Sequence, residues 1–126
     1  MKKIMLAGLA GAALMFSTAA FADPATEVKT AATHAGLAAK AGDINMVHTH
    51  LHHALNCLVG PKGEGFDAGQ ANPCAAAGAG AIPDTTDAAM KTKLEAAAKD
   101  AAAGIAATDL KMAQDKAMAT AKALSE

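Results

Sequence analysis

Small and apolar residues recur at helical spacing in four stretches of the chain, with polar residues on the intervening faces. In the first stretch Val28, Ala31, Ala32, Ala35, Ala38 and Ala39 supply one face. Asp23 stands where an N-cap carboxylate accepts free amides, and Pro24 suits the first helical position, where no N–H is needed. The pattern predicts a helix over 24–41, closed by Gly42 in the left-handed conformation. Asp43 then caps a second helix, predicted over 44–59, in which Ile44, Val47, Leu51, Leu55 and Leu58 form a stripe about 80° wide, the width of a core-facing seam. Gly60-Pro61 stops it. From 60 to 83 no period of either kind is present, and the Gly, Pro, Asn and Asp in this stretch predict a long loop. Pro83-Asp84-Thr85-Thr86-Asp87 opens a third helix, predicted over 84–107 from Met90, Leu94, Ala97, Ala98, Ala101 and Ile105. A fourth, over 109–124, buries Leu110, Ala113, Ala117, Ala121 and Leu124. Gly104 and Thr108-Asp109 weaken the chain between them, and one unbroken helix from Asp84 to Leu124 is the competing reading.

Short links force consecutive helices to fold back on one another. The expected fold is therefore all-α: a small antiparallel four-helix bundle, made of two αα-hairpins joined by the long loop. A faint internal repeat points the same way, since Gly42-Asp43-Ile44-Asn45-Met46 is echoed by Thr108-Asp109-Leu110-Lys111-Met112. In that alignment His48, His50, His52 and His53 face Gln114, Lys116, Met118 and Ala119. The pattern of the fold recurs without imidazoles, so packing alone does not require them.

Lys2-Lys3, the apolar run from Ile4 to Phe16 and Ala20-Phe21-Ala22 have the form of a secretory leader over 1–22, leaving one domain over 23–126. The run is shorter than the about 20 residues that cross a bilayer, so an exported protein with no membrane insertion after leader cleavage is expected, the periplasm being its address. Without Lys2 and Lys3 the chain has nine lysines against twelve carboxylates. That mild acidity excludes the basic field that nucleic acid or anionic lipid would need. After the leader Phe66 is the sole aromatic residue, expected to plug onto the bundle, and alanine dominates. Helices of alanine form readily but bury little area, and such a domain gains from a covalent or metal staple.

Cys57 and Cys74 are the only cysteines. In an exported chain they are expected to form a disulfide, whose closed loop contributes about 3 kcal/mol in the chain-entropy model. The alternative keeps both reduced beside His53, binding a soft ion such as Cu(I) with Met46 as a thioether ligand. Four of the five histidines lie between 48 and 53. His48 and His52, at i and i+4, have the spacing by which two imidazoles on a helix grip one ion, and so do His50 and His53 at i and i+3. Met46, His50, His53 and Cys57 share a second stripe. A transition-metal site is expected, copper first and nickel or zinc next, with His34 or a second subunit adding a donor because two ligands seldom suffice.

No H-E-x-x-H is present, so the zinc-protease reading fails, and the lack of C-x-x-C-H excludes covalent haem. A b-type haem between methionine and histidine would need large apolar walls, which alanine does not supply. Carboxylates are scattered over helix starts and exposed faces, and no Ser-His or Cys-His arrangement can be placed, so an enzyme is not expected. An exported leader, alanine-rich helices and the residues His48 to His53 look like the small periplasmic metal-binding helical-bundle proteins. That resemblance implies buffering or delivery of a metal ion. This chain differs in confining its histidines to one helix and in adding the Cys57/Cys74 loop. The competing class is a disulfide-stapled structural or interaction domain that contacts another envelope protein or a second copy.

Overall fold

The computed structural model describes residues 21–126, so the leader expected over 1–22 lies, but for Phe21 and Ala22, outside the described residues. Those residues form five helices and no strands: α1 Pro24–Lys40, α2 Ile44–Val59, α3 Ala81–Asp84, α4 Ala88–Ala106 and α5 Leu110–Ser125. No helix among them is long and apolar enough to cross a membrane. Each long helix starts on an aspartate whose carboxylate accepts the amide three residues on: Asp23 from Thr26, Asp43 from Met46, Asp87 from Met90 and Asp109 from Met112. Each cap contributes on the order of 1 kcal/mol.

The third long helix starts later than the sequence pattern suggests. Pro83 falls in the one-turn α3, at a position whose missing N–H costs nothing, and Thr85 then turns extended before Asp87 caps α4. Between α4 and α5 the helix is interrupted: Ala107 is extended at φ −68° and ψ 137°, which rules out one continuous helix. Gly42 departs from expectation as well. It is not left-handed; Ala41 before it is extended at φ −69° and ψ 134°, and its N–H donates to Ala38 O. The turn between α1 and α2 is thus one that any residue can make.

The four long helices pack in a ring, α1 against α2 and α5, and α4 against α5 and α2, while α3 touches α1, α2 and α4. The core has two parts. Ala31, Ala35, Ala54, Leu58, Leu94 and Ala97 are buried around the two cysteines, and Ala38, Val47, Leu51, Leu55, Ala101 and Ala117 are buried towards the interhelical turns. Alanine on α1, α4 and α5 brings backbones close, and leucine from α2 fills the space between them.

The segment from Gly60 to Gly80 is tied down at several points. Cys57 and Cys74 form a disulfide. Buried Asn56 donates from Nδ2 to the carbonyls of Asp67 and Ala71, both at 3.0 Å, and accepts Asp67 N–H at Oδ1 at 2.9 Å. Its side-chain groups are satisfied although nothing of it reaches solvent, so it clamps the loop as firmly as a ladder hydrogen bond would. Phe66 is half-buried. At the base the backbones of Gly60 and Gly80, with φ of 70° and 122°, run against each other, where a Cβ on either would collide with the other strand of chain.

Candidate metal centre

His34 on α1 and His50 and His53 on α2 are brought together by the α1–α2 hairpin. Each offers one ring nitrogen, and the three nitrogens lie within 4.8 Å of one another. The rings are half-buried, with centroids 5.0 to 5.9 Å apart; His34 and His50 are tilted by 36°, and His53 stands edge-on to both. His34 Nδ1 and His50 Nδ1 are 3.3 Å apart. One of these nitrogens donates its proton to the lone pair of the other, and a bound metal ion would take that proton's place. His53 Nδ1 is buried with no hydrogen-bond partner.

Burial, and then the neighbouring His53 and His50 rings, hold His34 below the ordinary histidine value. His53 is lowered by burial and by His50 and His52. Imidazoles kept neutral by their surroundings present lone pairs to an ion without first losing a proton.

The other sequence candidates are placed elsewhere. His48 and His52, expected to grip one ion as an i, i+4 pair, sit on the side of α2 away from His50 and His53 and turn to different partners. His48 Nε2 donates to Ala107 O at 2.9 Å, closing the end of α4. His52 Nδ1 lies 3.7 Å from Asp67 Oδ2 in the loop, too long for a direct hydrogen bond. Met46, 50 % exposed, precedes His50 by one turn. Neither cysteine is a thiolate ligand, because both sulfurs are in the disulfide.

Sequence reasoning missed the reason for His48. At the matching position of the second hairpin, Gln114 Nε2 donates to Ala41 O at 2.8 Å. The two contacts are reciprocal, each hairpin closing the end of the other's first helix. The echo that sets His48 opposite Gln114 held that signal, since both side chains carry an N–H donor.

An open groove of about 700 Å³ lies elsewhere, lined by Leu55, Val59, Ile82 and Ala98 together with charged residues of both signs, Glu95 and Lys99 among them. None of the three clustered histidines lines it. No family model matches this chain, and no curated protein or solved structure matches it either.

Proposed function

We propose that this protein is an exported, non-enzymatic helical-bundle protein that binds one transition-metal ion through His34, His50 and His53 and serves in its buffering or delivery. The observation that carries the reading is the convergence of three half-buried imidazoles from two helices onto one point. The four long helices are read as an antiparallel bundle whose first hairpin holds the ion, and the leader-like start of the chain supports export to the periplasm.

The 3.3 Å between His34 Nδ1 and His50 Nδ1 is the length of the N–H···N hydrogen bond that joins them. With metal–nitrogen bonds of about 2.0–2.1 Å, two neighbouring ligands stand roughly 3.3–3.4 Å apart around a tetrahedral ion and about 2.9 Å apart around a square-planar one. Either kind of ion would exchange that hydrogen bond for two metal bonds, so copper, nickel and zinc are all candidates. Three protein ligands leave a fourth position for water or an acceptor's donor group, which suits transfer better than permanent storage.

The test is titration of the disulfide-intact chain with Zn²⁺, Cu²⁺ and Ni²⁺ by calorimetry and chelator competition. One equivalent of Zn²⁺ is expected. Outer-shell changes at metal sites typically cost 10–100-fold in affinity, so loss of a ligand in His34→Ala, His50→Ala or His53→Ala should cost more than about 100-fold, and His48→Ala and His52→Ala only a few-fold. Unchanged affinity in the His34/His50/His53 triple variant would sink the reading and leave a disulfide-stapled interaction domain.

A further inference from the structure

Glu27 is a buried acid with no salt-bridge partner. Its side chain is fully enclosed on the first turns of α1, and no lysine or histidine pairs with it among the described residues. One oxygen, Oε1, accepts Gly80 N–H at 2.9 Å, while the other, Oε2, is buried without a partner. The side chain that faces it is another acid, Asp84 at the end of α3, whose Oδ2 accepts Ala79 N–H at 2.7 Å. Gly78 passes so close that a Cβ there would strike Asp84 Oδ2 and press on Glu27 Oε1. Both acids therefore bind the same short piece of backbone, each with one oxygen; those two oxygens both lie against Gly78, and Glu27 Oε2 is enclosed beside them.

Two ionised carboxylates can only accept, and side by side against Gly78 they repel. A hard divalent ion such as Ca²⁺ or Mg²⁺ between them would need six or more oxygens, and the oxygens already spent on Ala79 and Gly80 leave too few. A single proton needs only two oxygens. We propose that Glu27 and Asp84 share one proton, that the shared proton fastens the Gly78–Asp84 end of the crossover to α1, and that its loss to solvent releases this end. In the fastened state the Glu27 O–H donates to the Asp84 carboxylate; in the released state the proton has passed to water and two anions face each other.

The surroundings favour the protonated form. Burial first, and then the charge of Asp84 and that of Asp23 at the start of the same helix, push Glu27 up to about 6, against the single opposing effect of the Gly80 N–H. Asp84 comes from α3 and Asp23 from the cap of α1; α2 and α5, also packed on α1, bring no charged group that acts on Glu27, and Cys74, whose sulfur lies 3.8 Å from Glu27 O, is held in the disulfide. Glu27 in the unfolded chain loses its proton near 4.5. The folded chain keeps the proton to higher pH, so the linkage makes the fastened state weaken as pH rises from about 4.5 through about 6 and stay weak above. α3 also supplies Ile82 and Pro83 to the wall of the open groove, so the same proton steadies one side of that groove.

The experiment is amide hydrogen exchange on the metal-free, disulfide-intact chain from pH 4.5 to 8, read at Ala79 and Gly80 after correction for the intrinsic exchange rate. In the wild type the opening constant of these two amides should rise roughly tenfold or more with a midpoint near 6. Glu27→Gln keeps an oxygen for Gly80 and offers a permanent donor to Asp84, and it should abolish the pH dependence. Asp84→Asn removes the facing charge and should move the midpoint down, which keeps the idea testable if Glu27→Gln does not fold. Flat protection in the wild type, a wild-type midpoint in Glu27→Gln, or an unmoved midpoint in Asp84→Asn would each overturn it.

Discussion

The two hairpins are the same device built twice, 66 positions apart, and they differ where the chemistry is. Ala41 and Ala107 turn out of the helix with nearly the same angles, Asp43 and Asp109 cap the next helix, and His48 and Gln114 reach across to each other's turn. Buried positions coincide too, Ala31 with Ala97, Ala35 with Ala101, Val47 with Ala113, Leu51 with Ala117 and Leu58 with Leu124. At the positions of His34 and His50 the second hairpin has Asp100 and Lys116, which form an ion pair at 3.1 Å. Opposite His53 stands Ala119. The same framework accepts a lysine–aspartate pair where the other copy has clustered imidazoles, so the imidazoles answer to something other than folding.

The comparison can be broken most decisively by transplant. Asp100→His, Lys116→His and Ala119→His together should raise zinc stoichiometry from one to two, the new site binding within about tenfold of the first because the framework is shared. A count still at one in a chain of unaltered helical content would mean that the hairpins are not equivalent at that depth. Next in size is the staple that only the first hairpin carries. Cys57→Ala with Cys74→Ala should lower unfolding free energy by about 3 kcal/mol in urea titrations, since the bridge closes a separation of 17 residues.

The reciprocal contacts sharpen the comparison at smaller scale. His48→Ala and Gln114→Ala should each cost about 1 kcal/mol, the worth of one hydrogen bond to a helix end, and the double variant should cost their sum to within about 0.5 kcal/mol. Unequal costs would show that one turn bears more of the fold than the other. The smallest effect is a slope with pH in the metal-free protein. His34 and His53 are held below the usual 6.5, so the unfolded chain takes up their protons first as pH falls. Their contribution is complete above about 6.5 and is lost on acidification. Urea midpoints in a Glu27→Gln background, which removes the opposite slope of Glu27, should drop between pH 7 and 5, and His34→Ala with His53→Ala should flatten the curve.

Much of this framework was legible in the residues. Asp23 and Asp43 before apolar runs mark helix starts because a carboxylate there meets free amides whatever lies around it, whereas the cap at Asp87 was hidden by Pro83-Asp84 just before it, and a cysteine pair in a chain expected to be exported reads as a bridge. The imidazole-dense stretch pointed to α2, and the tight hairpin link pointed to His34. Which imidazoles converge was not legible from spacing along one helix, because His48 and His52 satisfy the same i, i+4 rule as a ligand pair while facing a different neighbour. That choice depends on where α1 and α4 lie around α2. Glu27 and Asn56 were silent for a related reason: their partners are backbone amides and carbonyls of an irregular segment, which carry no side-chain signature. Gly42 misled because glycine after a helix so often turns left-handed, whereas here its counterpart is Thr108, which that conformation would strain.

Gly60 and Gly80 bring the chain back to the point where it left the helices. The excursion from Pro61 to Ala79 is in that sense a closed appendage whose departure and return meet at these two glycines. Foreign sequence spliced at the exposed positions Ala68 and Gly69 would sit between the Asp67 and Ala71 anchors that Asn56 holds and leave the mutual alignment of the helices undisturbed.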